Sequence, residues 1–218
     1  YDEPFADSSQ IPTYLVSKLA RNEVKVALTG DGADEMLCGY NRYQVSNRLW
    51  SKFSGIPHNL RKIGSKTISS IPSGVLNSLH RVFPMVNKSN NFSDRVYKGA
   101  RLLQSKNFDQ FYLDFISYWD NPESLIINSK EPKTSLNRNL ESIENMTDID
   151  RMMYLDLLSY LPGDILTKVD RASMAVSLET RLPFLDHRLI EFAWSLPNEY
   201  KYNNGQTKWI LKEVLNKY

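Results

Sequence analysis

The chain has 218 residues and a mass of 25.2 kDa, with 41% hydrophobic residues and a formal net charge of +2. That length supports a sizeable core, in one domain or one large piece of one. The longest apolar run is four residues, Met152-Met153-Tyr154-Leu155, against the roughly 20 that a membrane helix needs. No charged segment leads into an apolar stretch at the start, so neither a transmembrane segment nor a signal peptide is expected. One Cys and three His exclude an internal disulfide and a zinc site of the usual kind, and they fit a reducing, cytoplasmic setting. The first residue is Tyr1 and not Met, which reads as a fragment.

In chain order, Asp7-Ser8-Ser9 offers a helix cap, and Ile11, Tyr14, Leu15 and Leu19 follow at helical spacing. Pro12 falls in the first turn, where its missing N–H costs nothing. Residues 24–29 (Val-Lys-Val-Ala-Leu-Thr) are short and β-branched and predict a strand. Gly30 and Gly32 break it. A helix then starts at Asp34-Glu35, with Met36, Leu37, Tyr40 and Tyr43 along one side. Helix, strand, glycine turn and helix is the grammar of a parallel α/β sheet, whose ligands bind at the carboxyl ends of the strands.

Residues 48–145 form a middle segment, and its part from 48 to 106 shows no sustained periodicity. From Arg48 to Lys106 there are eleven Lys or Arg against one acid, Asp94: a +10 stretch in a +2 chain, which leaves −8 for the rest. Such a block reads either as a solvated, loosely helical surface or as a site for an anionic acceptor. No aromatic interleaving or nucleic-acid motif accompanies it, so DNA is not expected as a partner. Beyond it, Ile149, Met152, Met153, Leu157, Tyr160 and Leu161 keep a 3.6 period that Pro162-Gly163 should end, with Asp164 capping the next helix. Leu189, Ile190, Ala193 and Trp194, then Ile210, Leu211, Val214 and Leu215, predict two further amphipathic helices.

Thr29-Gly30-Asp31-Gly32-Ala33-Asp34-Glu35 places three carboxylates on a glycine turn between strand and helix. The glycines can simply supply positive φ while Asp34 caps the helix and Glu35 meets its dipole. The chemical alternative starts from a conflict. A strand end feeding a helix suits phosphates, which three carboxylates would repel. A hard divalent cation resolves it, because Mg²⁺ takes carboxylate and phosphate oxygens together. In the later segment, Asp164, Lys168 and Arg171 share one helical face, either as an ordinary ion pair or as a device orienting a zwitterionic amino acid. Pro183 pushes Leu182 toward extended backbone, and Glu179 and Arg181 are read as fixing that bend.

Asp2-Glu3-Pro4-Phe5-Ala6-Asp7-Ser8-Ser9, Leu28 to Glu35, Gly39-Tyr40, Leu161 to Ala175, and Leu178-Glu179-Thr180-Arg181-Leu182-Pro183-Phe184-Leu185-Asp186 together resemble the synthetase domain of the asparagine synthetase family. The resemblance covers about residues 1–47 and 150–218, in the family's order. It implies an α/β fold of the ATP-pyrophosphatase (adenine nucleotide alpha hydrolase-like) type. Here that fold would be mostly helical with the last part of a parallel sheet: residues 1–47 as sheet edge and acidic turn, 48–145 as a variable helical segment, and 146–218 lining the active site. It implies ATP as substrate, Mg²⁺ as cofactor, and adenylation of a carboxylate that ammonia from glutamine then attacks. Aspartate is the simplest acceptor. A sugar acid or a peptide carboxylate is the alternative within the class, and a non-catalytic nucleotide-binding module the alternative outside it. A homodimer is left open.

By motif, Asp34 matches the family's Mg²⁺ ligand, with Asp31 and Glu35 beside it. Gly30, Asp31 and Gly32 fall at the pyrophosphate, and Tyr40 near the acceptor carboxylate. Tyr40 lies six residues beyond Asp34 and could point back only through a helical turn. Asp164 and Lys168 match the acceptor-binding stretch. Lys208 matches the lysine that contacts the leaving pyrophosphate, where electrostatic stabilisation counts most. Two departures stand out. Cys38 occupies a position where the family has glycine, and would be strained if φ is positive there. Neither a Ser-Gly-Gly-x-Asp-Ser phosphate loop nor an N-terminal glutaminase Cys is present. In the family both precede the Asp2-Glu3-Pro4-Phe5 motif, so residues 1–218 alone are expected to be inactive.

Overall fold

The computed structural model describes residues 3–82, 92–119, 122–130, 132, 134, 136 and 146–218. The chain divides into two compact units, residues 1–43 with 133–218, and residues 44–132. The first unit opens with α1 (Gln10–Glu23). Its start is organised by Asp7 and not by Ser9: Asp7 Oδ1 accepts the Ser9 backbone N–H at 2.8 Å and Oδ2 the Ser9 hydroxyl at 2.7 Å. β1 (Val26–Leu28) is shorter than the predicted strand. Next comes α2 (Ala33–Met36), a single turn, and then α3 (Asn41–Phe53), which runs into the second unit. The predicted continuous helix from Asp34 through Tyr43 is therefore broken. Cys38 takes a left-handed conformation at φ 54°, which no helix accommodates, and it carries the strain expected of a side chain in that region.

The second unit continues through α4 (His58–Ser69), α5 (Ser73–Val82), α6 (Phe92–Leu102) and α7 (Phe108–Ile116). It is a packed helical body and not the loose surface that its composition suggested. Trp50, Phe53, Phe108 and Phe111 meet edge-on or tilted, with the Trp50 ring 5.5 Å from Phe111 and 6.0 Å from Phe108. Such pairs stabilise beyond the area they bury. Arg61, one of the eleven bases, is buried among them. It donates to the carbonyls of Ile56 at 3.1 Å and Ser105 at 2.9 Å, and its guanidinium lies over the Trp50 ring. Lys62, Lys66, Lys98 and Lys106 are exposed. The side chain of Arg81, and all of Lys88, lie outside the described residues.

Back in the first unit, α8 (Asp148–Leu158) starts at Thr147, whose hydroxyl accepts the Asp150 N–H at 3.2 Å. Pro162-Gly163 does not end the helical path. Residues Leu161–Leu166 wind as a π-helix that leads straight into α9 (Thr167–Met174). The wider turn leaves room for the proline ring and asks nothing of its missing N–H. Asp164 thus sits within a winding segment and is not a cap. β2 (Glu179–Arg181) pairs in parallel with β1, Ala27 opposite Thr180, and Arg181 Nε donates to Glu179 Oε1 at 2.7 Å along the same strand. α10 (His187–Ser195), α11 (Asn198–Lys201), the hairpin β3 (Tyr202–Asn203) with β4 (Gln206–Thr207), and α12 (Trp209–Leu215) complete the unit. Met36, Leu37 and Ala193 form a core against Phe184, Ile190, Ile210 and Leu211, which locks α2, the acidic turn and α12 together.

α1 packs on α9 through its small side, where Ser17 is buried. Its apolar stripe faces outward: Ile11, Leu15, Val16 and Leu19 are all more than half exposed, and Leu28 of β1 is 73% exposed. No helix among the described residues is long and apolar enough to cross a membrane.

Candidate active site

The acidic turn leaves the end of β1 through Gly32, at φ 91°, where a Cβ would overlap the Leu185 side chain. Glycine is needed there both for the left-handed backbone and for the close approach. The three carboxylates then separate. Asp31 is half-buried. Asp34 pairs with Lys208, Oδ1 to Nζ at 2.8 Å, each side chain 31% exposed. Glu35 turns inward, is 1% exposed, and accepts the Tyr40 hydroxyl at 2.7 Å on Oε1, while Oε2 is buried without a hydrogen-bond partner among the described residues. Burial pushes its carboxyl above the usual range, the Tyr40 hydrogen bond opposes that, and the charges of Asp34 and Asp156 add to it. Among the described residues no three of His, Cys, Asp and Glu converge so as to hold a metal ion. The turn therefore is not a three-carboxylate cage. What fits a cation is the accessible carboxylate of Asp34 near Asp31, the sparse donor set that Mg²⁺ uses when phosphate oxygens supply the rest.

Lys208 reaches Asp34 from the far end of the chain. Its backbone is left-handed, φ 51°, and its N–H donates to the Leu37 carbonyl at 3.1 Å. Gly39 makes the approach feasible, because a Cβ there would overlap Asp34 Oδ1 and crowd the Lys208 side chain. Tyr40 returns to the turn across the break at Cys38, not through a helical turn. Its hydroxyl is pushed far above the ordinary phenol range by burial, then by the hydrogen bond to Glu35. The Cys38 thiol is buried and pushed up to about 11 by that burial, with Lys201 opposing, so it is not an activated nucleophile.

Beside Tyr40, the guanidinium of Arg42 lies between two rings, 4.4 Å from the centroids of both Tyr40 and Tyr160. It also binds the buried Asp156, Nη2 to Oδ2 at 2.6 Å, where the Tyr43 hydroxyl donates at 2.6 Å. Lys168, 8% exposed, gives its ammonium to Asp7 Oδ2 at 2.7 Å and Ser9 Oγ at 2.8 Å. The expected pairing of Lys168 with Asp164 along one helix face is thus replaced by a tie to the start of α1. Burial alone would lower the Lys168 pKa. The hydrogen bond and charge of Asp7, with Asp164 adding, leave it raised. Asp7 is held well below the usual carboxylate range, chiefly by Lys168. Asp164 is raised by burial and by the nearby Asp7. Asp7, Ser9, Arg42 and Asp156 were not singled out from sequence. Asp7 and Ser9 stand in a segment read as a helix start and as part of a family motif, with no role given to either side chain, and Asp156 falls on the polar side of an amphipathic pattern that gave no hint of burial.

Sequence comparison decides what this arrangement belongs to. The asparagine synthase family matches residues 1–218, the entire chain. The chain belongs to that family. "Asparagine synthetase [glutamine-hydrolyzing] 1" of Bacillus subtilis is 33% identical over 218 residues, 98% of this chain and 31% of that protein. A "Putative asparagine synthetase [glutamine-hydrolyzing]" of Mycobacterium tuberculosis is 32% identical over 216 residues, 98% of this chain and 30% of its own. "Amidase chyE" of Penicillium rubens is similar at 22% over 207 residues, 89% of this chain and 30% of its own. The chain spans about a third of the length of the curated relatives it matches. No solved structure matches it significantly.

Proposed function

We propose that the chain is part of a glutamine-dependent amide synthetase that converts ATP, an acceptor carboxylate and ammonia into an amide, AMP and pyrophosphate through an acyl-adenylate. The observation that carries this reading is the meeting of Asp34 and Lys208 at the carboxyl end of β1, a carboxylate suited to a cation beside a lysine suited to phosphate. In this reading Asp34 and Asp31 hold Mg²⁺, while Glu35, turned inward onto Tyr40, supports the turn from behind. Bound there, the metal supplies charge neutralisation for the polyphosphate. Lys208 stabilises negative charge as pyrophosphate departs, a preorganised electrostatic contribution of the strongest kind. Gly30, with open space where a Cβ would stand, lets the backbone come close to that group, and Gly32 sets the left-handed turn that places it there. Lys168, fixed by Asp7 and Ser9, and Asp164 present opposite charges toward an amino-acid acceptor, with Tyr40 on the side of its carboxylate. Aspartate is the acceptor this arrangement suits best.

The proposed fold is the ATP-pyrophosphatase type, with the parallel pair β1–β2 as one part of a larger sheet. The outward apolar stripe of α1 and the exposed Leu28 supply the surface against which further strands and helices of that fold would pack. Residues 1–218 alone should release no pyrophosphate from ATP, aspartate and ammonia. In the full-length protein, Asp34→Asn should lower ammonia-dependent pyrophosphate release at least about 10²-fold, the scale of removing one strong electrostatic contact, while glutamine hydrolysis continues. Near-normal synthesis in that variant would return the acidic turn to a purely structural role.

A further inference from the structure

We propose that the Asp34–Lys208 pair is a closure of the resting site: Lys208 serves as the counter-ion of Asp34 until a cation and pyrophosphate arrive together, and each ligand alone is opposed by the pair. This rests on the reading of the two residues given above.

Three observations carry it. The ammonium and the carboxylate are in direct contact at 2.8 Å, so each neutralises the charge that its own ligand would need. The contact is built into the backbone. Lys208 is held left-handed at φ 51° and anchored by its N–H to Leu37 at 3.1 Å, and Gly39 leaves the gap in which the pair lies. Glu35 does not relieve the competition, because it is committed to Tyr40. A cation arriving alone must displace the ammonium and leave it without a partner. Pyrophosphate alone must draw Lys208 away and leave Asp34 uncompensated. When both arrive, both charges are answered. The two ligands therefore bind with positive coupling, and loss of either residue releases the other. A charge partner left unanswered in a partly buried place is costly, and coupling between ligand sites is typically about 5- to 150-fold.

The test uses the full-length protein with Mn²⁺ as the metal probe, read by electron paramagnetic resonance, and inorganic pyrophosphate with a chelator present, read by calorimetry. Lys208→Met should bind Mn²⁺ alone at least about fivefold more tightly than the parent. Asp34→Asn should bind pyrophosphate alone more tightly by a similar factor, and should no longer bind Mn²⁺. Circular dichroism matching the parent shows that both variants are folded. If Lys208→Met leaves Mn²⁺ affinity unchanged while Asp34→Asn abolishes it, the closure is wrong and Asp34 as metal ligand stands. If Asp34→Asn still binds Mn²⁺ like the parent, the reading of the site itself falls, and the closure with it.

Discussion

The two units handle charge in opposite ways. In the first, ionised groups find partners far away in sequence: Asp7 with Lys168, Asp34 with Lys208, Arg42 with Asp156. In the second, stability comes from rings packed on rings, and of the bases discussed only Arg61 is drawn inside, spent on backbone carbonyls and aromatic faces. Lys62, Lys66 and Lys106 stay in water, and Lys98, also exposed, lays its ammonium over the Phe115 ring at 5.7 Å. Net charge is therefore a poor guide to where chemistry sits. The unit with the excess of one sign stores little of it in structured contacts, and the unit with paired charges holds the candidate site.

That contrast can be broken most sharply at Gly39. Gly39→Ala should leave the fold intact, since the atoms in its way are side-chain ends, yet push Asp34 and Lys208 out of place. Synthesis by the full-length protein should fall about 10²-fold, the cost of an ångström-scale misplacement in an active site. Steady-state pyrophosphate release checks it. Arg61→Leu probes the other unit. Leaving the carbonyls of Ile56 and Ser105 without their donor should cost about 2–3 kcal/mol in urea unfolding followed by tryptophan fluorescence, with little change in KM. Asp7→Ala leaves the Lys168 ammonium poorly answered and should cost about 1–2 kcal/mol. Unlike Arg61→Leu, it should also raise the KM of the acceptor.

Glu35 gives a pH-dependent test. Its folded pKa is raised, so the stability linked to its protonation is full below the unfolded value of about 4.3 and is lost as pH rises through the folded value. Glu35→Gln keeps the Tyr40 hydrogen bond without the buried charge. Its Tm should exceed that of the parent at pH 7.5, and the difference should close toward pH 4. A constant difference across that range would mean that burial does not disfavour the Glu35 charge. The smallest effect is expected from reversing Lys62, Lys66, Lys98 and Lys106 to Glu. Each should shift stability by about 0.5 kcal/mol or less and leave the acceptor KM unchanged at two ionic strengths. A salt-sensitive KM lost in that variant would assign the basic unit to an anionic acceptor instead.

Local signals in the sequence were readable where one segment decides its own structure. The start of α1, the short strand before the glycine turn and the terminal helix that begins just after Lys208 all follow from spacing and punctuation. The misreadings share a cause. Pro162-Gly163 looks like a stop because propensity weighs the lost hydrogen bond, whereas the chain between α8 and α9 takes a wider turn there in place of an end. Tyr40 looked reachable only by continuing a helix, because nothing in a side-chain pattern announces a left-handed Cys38. Lys168 was given to Asp164 because the two are four residues apart; its partner Asp7 is 161 residues away. A one-dimensional pattern does not reveal partners at that separation. The middle segment hid its core for a different reason: Trp50, Phe53, Phe108 and Phe111 cluster only once α3 and α7 are side by side within the unit.

Cys38 supplies the protein with a clock of its own. The single thiol is buried, held in a left-handed bend and kept in its unreactive protonated form. An alkylating reagent can reach it only when the segment joining α2 to α3 opens. With opening and reclosing fast relative to alkylation, the labelling rate measures the fraction of time that segment spends open. Because the bend carries both Gly39 and Tyr40, the same rate reports the share of molecules in which the backbone around the Asp34–Lys208 pair is dismantled. Ligands that tighten the pocket should therefore protect a sulfur that they never touch.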